Sequence, residues 1–472
     1  MSAPLIWIIF PGISAVVLFF LRRWYRSTAL AGTILVILLA LLARVLPIGV
    51  IIELRPWSLK ITDTLTILGR TFTLTDTDRS ILISIYLLAA FWFAAAFSAK
   101  AGRMFVPLAL AIVALLTAAL AVEPFLYAAL LIEMAALVCI PILSPPRARL
   151  GRGVLRFLIF LTFGMPFILV SGWMLTGVEA APGNLDLVLR ASIFLAAGFA
   201  LWLAIFPFHT WLPMLGEESH PFAAAFVFVT LSWMVILFGL GFLDRFPWLG
   251  GLPQSSDVIR LAGVIMVTAG GIWAAFQRHL GRMLGFTTMI QIGASLLAIS
   301  LPGGLPLHFT MLLPRALGLG IWALALASIQ TARTEGRADG LDFSSLRGIA
   351  FDMPFTASSL ILAQLSLAGF PLLAGFPVQL GLWQGLSLAS PPAVLFSLLG
   401  SLGLFIAAVR TLAVFITPRD QEATLFTENR AIILFLGFGI LGMFLIGLFP
   451  QWFLTPLANL AQAYPQLQSL TP

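Results

Sequence analysis

The feature that constrains this chain most is the recurrence of apolar stretches about 20 residues long, punctuated by Pro, Gly and Arg. A hydrocarbon core about 30 Å thick takes roughly 20 helical residues per crossing, so each stretch reads as one membrane span. The runs lie at 4–21, 28–46, 80–97, 104–122, 124–143, 154–176 and 191–206. They continue at 222–242, 258–276, 283–300, 305–329, 354–388, 393–415 and 431–449, which makes fourteen. Charged residues make up 10% of the 472, against about a quarter in soluble domains, which excludes a soluble enzyme or a disordered chain. The net charge of +7 sits in short loops and forms no basic face, so nucleic acid is not an expected partner. Cys139 is the single cysteine, so there is no disulfide framework. The chain opens directly into an apolar run with no basic leader or small-residue cleavage site, and that run is expected to be a first span.

The positions of the basic residues set an expected orientation. Loops after odd-numbered runs, with the span ends, carry seventeen Lys and Arg, and the other side carries eight. The positive-inside bias then places both termini outside the cell inner membrane. The long loop from Pro47 to Arg79 alternates apolar and polar residues around Thr62–Thr75 and predicts an external β-hairpin. Tryptophans and tyrosines near span ends are expected to be interfacial anchors.

Two interruptions stand out. One is Phe206-Pro207-Phe208-His209-Thr210-Trp211-Leu212-Pro213, after the seventh run. The other is Gly369-Phe370-Pro371-Leu372-Leu373-Ala374-Gly375-Phe376-Pro377, inside the twelfth. Non-helical backbone at membrane depth is tolerated where protein or water satisfies its amides. The breaks are five spans apart, an odd number, so five-helix units containing them lie upside down relative to each other. Paired breaks in inverted units point to a transporter-type pathway near the midplane. The alternative is two ordinary proline kinks in packed helices.

These segments resemble the antiporter-like membrane subunits of respiratory complex I and of Mrp-type cation/proton antiporters. The residues carrying the likeness are Phe206–Pro213 (FPFHTWLP), Arg282–Gly293 (RMLGFTTMIQIG), Ser345–Met353 (SLRGIAFDM) and Leu365–Phe376 (LSLAGFPLLAGF). The resemblance covers about 104–415 and implies an all-α membrane fold of about fourteen helices with broken seventh and twelfth spans. It divides the chain into three spans with the hairpin loop (1–103), five-helix repeats at 104–243 and 244–416, and a last span with its tail (417–472). It also implies a hydrated polar axis along the midplane and membership of a multisubunit complex, with other membrane subunits as partners.

The family's chemistry rests on buried charges, and each reads onto this sequence separately. Glu133 stands where a fifth-span glutamate belongs. The seventh-span lysine that would pair with it falls on Trp202, and the eighth-span lysine near Met234. The eleventh-span lysine falls on Arg315, a histidine four residues earlier on Met311, and the twelfth-span charge on Gln379. The chain's lysines, Lys60 and Lys100, both lie outside the runs. A buried lysine relays protons because burial and neighbouring charges shift its affinity; a guanidinium stays protonated. The scaffold is therefore expected with most of its proton-handling cations replaced.

What remains is a short set of candidates for a proton pathway: Glu133, Arg315, His209, Gln379, Gln291, Thr287, Thr288 and His308. An acid amid apolar helix is costly and reads as functional; its alternative is a protonated acid kept for packing. Arg315 reads either as setting the field or as a structural clamp. His209 could exchange protons with water, or cap the broken helix. Gln379, Gln291, Thr287, Thr288 and His308 can hold water. Glu217, Glu218 and His220 read as an acidic entry rim or as a solvated loop. Nothing provides for cofactor or metal: there is no CxxC, no Gly-rich phosphate loop and no paired histidines at ligand spacing. The reading is a non-redox subunit of a proton-translocating quinone oxidoreductase-type assembly, its own pathway degenerate. The alternatives are a non-conducting structural paralogue, or a subunit of an Mrp-like antiporter or related uptake complex.

Overall fold

In the computed structural model, the structure describes residues 2–54, 57–144, 150–180, 185–246, 249, 253–333, 340–418 and 428–469. Ten helices among these are long and apolar enough to cross a membrane, and three shorter apolar ones accompany them at Leu5–Phe20, Phe105–Ala121 and Pro354–Leu367. In chain order the helices are α1 (Phe10–Phe20), α2 (Tyr25–Val45), α3 (Arg79–Ala96), α4 (Phe105–Ala121), α5 (Ala128–Leu143) and α6 (Arg152–Ala180). Next come α7 (Leu185–Trp202), α8 (Trp211–Glu218), α9 (Pro221–Arg245), α10 (Pro253–Phe276) and α11 (Leu280–Ile299). The remainder are α12 (Leu305–Thr310), α13 (Leu312–Arg333), α14 (Ile349–Asp352), α15 (Pro354–Leu367) and α16 (Gly375–Ala389), then α17 (Pro391–Ile416), α18 (Arg430–Leu448), α19 (Pro450–Ala458) and α20 (Pro465–Ser469).

Burial separates central helices from peripheral ones. The windows of α9 and α11 are 83% and 89% buried, whereas that of α18 is 28% buried and presents Leu434, Phe438 and Leu441 outward. Apolarity alone does not tell them apart: α9 and α18 have similar mean hydropathies of 2.3 and 2.6, because lipid tails and protein interior select the same side chains. The mean hydropathy of α11, which carries Thr287, Thr288 and Gln291, is 1.3. Trp24 and Trp452 are exposed at helix ends, as interfacial anchors should be. Trp202, also at a helix end, is fully buried and is no anchor.

Strands β3 (Thr64–Ile67) and β4 (Arg70–Thr73) form the expected hairpin, with Ile67 opposite Arg70. Its two-residue turn, Leu68-Gly69, has positive φ at both positions, the primed-turn geometry that matches strand twist. β4 also pairs with β5 (Val122–Glu123), tying the hairpin to the end of α4. The sequence did not announce a second antiparallel pair, β1 (Ile51–Leu54) with β2 (Trp57–Lys60).

Both expected helix breaks are present, and they close in the same way. α7 stops at Trp202; the Ile205 N–H bonds the Ala200 carbonyl at 2.9 Å and the Ala204 N–H bonds Leu201 at 3.4 Å. α15 stops at Leu367; the Phe370 N–H bonds the Leu365 carbonyl at 3.0 Å and the Gly369 N–H bonds Ser366 at 3.1 Å. Each is a Schellman closure, which recaptures helix-end carbonyls that water would satisfy elsewhere. The left-handed residue it requires is Gly369 (φ +81°) in the second break but Ala204 (φ +54°) in the first. Leu372 (φ +70°) adds a second left-handed non-glycine position, so each break holds backbone strain of about 1–3 kcal/mol per such residue.

The run expected at 305–329 is present as one span-length stretch, Leu305–Ala332, kinked where α12 ends at Thr310 and α13 begins at Leu312. Pro314 has no N–H for the Thr310 carbonyl, which releases the helix at that point.

Candidate functional site

Glu133 lies on α5 and is 8% exposed. Its Oε1 accepts a 2.6 Å hydrogen bond from the Thr162 hydroxyl on α6, and its buried Oε2 has no partner. No ion pair reaches Glu133 among the described residues. The position that the resemblance gives to lysine holds Trp202, whose indole N–H donates to the Leu161 carbonyl at 2.8 Å. That carbonyl belongs to the residue before Thr162, so tryptophan and glutamate grip the same turn of α6 without forming a charge pair. A Cβ on Gly164 would lie 2.4 Å from the indole, so only glycine leaves room for this ring.

His209 sits in the first break, in a short 3-10 turn (Phe208–Thr210). It does not cap the helix. Its ring stacks at 4.6 Å and 15° on Trp273 of α10 and at 5.5 Å and 16° on Phe206, and its Nδ1 is buried without a partner.

The second group gathers around Arg315, which is 2% exposed near the start of α13. Its NH2 donates to the Gln291 carbonyl at 2.6 Å and to the Ser295 hydroxyl, both on α11. Its Nε and NH1 are buried and unpartnered. The Gln291 amide in turn donates to the Leu367 carbonyl at 3.3 Å, the last residue of α15 before the second break. Arg315, Gln291 and the broken helix are thus joined in one line. His308, fully buried on α12, stacks on Trp233 of α9 at 5.1 Å, and neither of its ring nitrogens has a partner. Orphaned polar atoms in a dry interior cost about 1–3 kcal/mol each, and ordered water is the usual remedy.

Gln379, 7% exposed on α16, packs on Gly369, where a Cβ would come within 3.0 Å of its side chain. Thr287 and Thr288 are buried on α11 but donate to Met283 and Leu284 of their own helix, which uses up their protons locally. Pro207, Pro213, Pro371 and Pro377 flank the breaks as expected. Gly375 begins α16 against the end of α15, and a Cβ there would meet the Ser366 carbonyl at 1.8 Å. Two polar residues of this region were missed in the sequence. Gln364 is 2% exposed on α15 and reaches the Met283 sulfur at 3.4 Å, and Ser366 accepts from the Gly375 N–H at 3.3 Å. Their place one turn before a helix break was the available signal.

The sequence Glu217-Glu218-Ser219-His220 is not a solvated loop. Glu217 and Glu218 form the last turn of α8. Glu218 Oε2 accepts from the Gly153 N–H at 2.6 Å, placing an anion at the N-terminus of α6, where the helix dipole favours it. Glu217 pairs with Arg282 of α11 at 2.6 Å; with side chains 29% and 46% exposed, the bridge contributes well under 1 kcal/mol. Burial pushes His220 from its ordinary 6.5 down to about 4, so the folded ring is neutral. Its stabilising contribution is complete above pH 6.5 and is lost as pH falls from there through 4, because the unfolded chain takes up the proton first. Thermal unfolding in detergent should lose about 3 kcal/mol of stability across that window, and His220→Gln should flatten the loss.

Helices that span a membrane, two of them interrupted beside buried polar groups, define a polytopic membrane protein with an antiporter-like scaffold. Residues 183–403 match the NADH:quinone oxidoreductase/Mrp antiporter membrane family. The chain is 30% identical over 285 residues to NAD(P)H-quinone oxidoreductase chain 4 2 of Thermosynechococcus vestitus, covering 56% of this chain and 50% of that one. It is 30% identical over 227 residues to NADH-quinone oxidoreductase subunit N of Heliobacterium modesticaldum, covering 45% and 46%. The chain spans about half the length of the curated relatives it matches. A chain of respiratory complex I from Thermus thermophilus has the same fold, with a TM-score of 0.73 at 21% identity and 99% of both chains covered. So does one from the Mrp complex of a Dietzia species, at TM-score 0.76 and 18% identity over 100% of this chain and 98% of that one. A third comes from the archaeal membrane-bound sulfane sulfur reductase, at 0.79 and 16% identity over 100% and 99%.

Proposed function

We propose that this chain is a membrane-arm subunit of a complex I-like, NADH-quinone oxidoreductase-type assembly, and that it does not complete a proton route of its own. In this reading it has fourteen spans in the cell inner membrane, both termini outside, and inverted units at 104–243 and 244–416. Redox chemistry belongs to partner subunits, and this chain accompanies the proton translocation they drive.

The observation that carries the reading is the state of Glu133: a buried carboxyl held by one hydroxyl, with an indole where its cationic partner should stand. A relay along a membrane midplane needs neighbouring groups that exchange a proton as their pairing opens and closes. Trp202, Met234 and Gln379 carry no such proton, and Arg315 does not release one. What persists is the scaffolding of the site, with both breaks intact and the second linked through Gln291 to Arg315. The Mrp complex's likeness in fold supports the second reading, membership of an Mrp-like or related ion-coupled assembly.

The test is Glu133→Gln in the intact complex, reconstituted in vesicles with a pH-sensitive dye. Pumping should be nearly unchanged, and its loss would establish a working pathway through Glu133. Co-purification of quinone-reductase subunits supports the first reading, and cation-antiporter subunits in their place support the second.

A further inference from the structure

Away from the buried polar residues, a cavity of about 580 Å³ opens between α2, α3, α13 and α19. Its volume falls in the range of roughly 300–1,000 Å³ typical of small-molecule sites. Leu87, Phe91, Leu317 and Leu457 give it apolar walls, while Arg44, Asp76, Arg79 and Ser80 stand at one end. From Ser80 to Phe91, eleven residues of α3 at about 1.5 Å each make the groove about 16 Å deep. That is half of a roughly 30 Å hydrocarbon core, or one leaflet.

The charges at the mouth do not cancel. Arg79 is spent: it bonds Asp76 at 3.0 Å, the Ala43 carbonyl at 2.9 Å and the Arg44 carbonyl at 2.8 Å. Those contacts neutralise its charge and fix the end of α2. Arg44 is exposed, and among the described residues no hydrogen bond or ion pair engages its guanidinium. A fixed positive charge therefore caps an apolar slot one leaflet deep. The depth and apolar walls of the slot match one extended acyl chain, and the unopposed charge at its mouth matches an anionic headgroup.

We propose that this groove binds an anionic phospholipid, with the headgroup phosphate on Arg44 and one acyl chain running along α3 and α13 to Phe91. Leu312, Leu313, Ala316 and Leu317 line it. They belong to the turns of α13 that carry Arg315 inward, so the lipid braces the back of the Arg315 site.

The test is native mass spectrometry of the full chain in mild detergent, with added phosphatidylglycerol, phosphatidylcholine or inorganic phosphate. Phosphatidylglycerol should bind and survive inorganic phosphate, and phosphatidylcholine should bind about tenfold more weakly. Arg44→Gln should weaken phosphatidylglycerol about tenfold, the scale of one charge-assisted contact, and Ala316→Phe should block the slot. Arg26→Gln, at the far end of α2, should change nothing. Equal binding by Arg44→Gln, equal binding of the zwitterionic lipid, displacement by phosphate alone, or full occupancy in a folded Ala316→Phe would each overturn the proposal. So would a protein segment cross-linked into the groove from Leu87 in the assembled complex.

Discussion

Gly285→Val should sharply lower the recovery and the unfolding midpoint of the folded protein. A Cβ at Gly285 would sit 2.5 Å from the Leu212 carbonyl oxygen and 2.6 Å from its carbon. One turn earlier the contact is mutual, with a Cβ on Gly281 at 2.2 Å from the Gly216 oxygen and one on Gly216 at 2.3 Å from the Gly281 oxygen. Gly281 and Gly285 are four apart on α11, the small-xxx-small spacing that lets membrane helices meet backbone to backbone. Since the atoms in the way are main chain, no rotamer change relieves the clash. The helix that would have to move is α8, eight residues held between the first break and the start of α9. Overpacking a core costs typically 1–3 kcal/mol. With backbone on both sides, about 3 kcal/mol or more is expected, a large share of a stability of roughly 5–15 kcal/mol. The measurement is the monodisperse yield and unfolding midpoint in detergent. Gly12→Ala, where a Cβ meets nothing within 4 Å, is the control and should match the parent or exceed it slightly. A Gly285→Val protein that melts with the parent would remove the backbone contact from this description.

What the sequence disclosed depended on whether a feature was local. Apolar length located the helices because the bilayer imposes a ruler on each one separately. The breaks at Pro207 and at Gly369-Pro371 were legible because proline and glycine state their backbone demands in their own identity. The left-handed Ala204 was not, since alanine accepts that conformation only when the surrounding helices over-determine it. Pro314 was the available signal for the kink at Met311 inside the span Leu305–Ala332. Strand alternation around Thr62–Thr75 marked one hairpin and overlooked the pair at Ile51–Lys60, where the alternation is poor.

The candidate site was legible as a set of residue types and illegible as a set of contacts. Glu133 and Arg315 stood out because a charge inside an apolar run is expensive wherever it points. That Arg315 reaches Gln291, and Gln291 the end of α15, depends on how three helices separated by dozens of residues pack. The acids at Glu217 and Glu218 read as loop residues because charged side chains between apolar runs ordinarily sit in solvated loops. In fact each has a specific partner, at Arg282 and Gly153.

Arg315→Met should raise the stability of the chain, which distinguishes a charge kept for its field from a charge kept as a clamp. The guanidinium is 2% exposed, and no acid pairs with it among the described residues. Burying an ion costs several kcal/mol even after the surroundings relax. Two donors left without partners, Nε and NH1, add to that cost unless water reaches them. Against this stand the bonds from NH2 to Gln291 and Ser295, each contributing about 1.5–3 kcal/mol as charge-assisted contacts. Methionine forfeits those bonds without stranding the carbonyl, because the Ser295 hydroxyl already donates to the Gln291 oxygen at 3.2 Å. Methionine is also of similar length and flexible enough to fill the space. The balance favours the variant by about 1–3 kcal/mol, the range seen when buried ions give way to apolar side chains. Thermal unfolding of the purified chain should therefore shift upward, and Arg315→Lys, which keeps the charge, should not share the gain. If Arg315→Met instead melts lower than the parent by a similar amount, the two bonds to α11 outweigh the buried charge, and Arg315 is a clamp between α11 and α13.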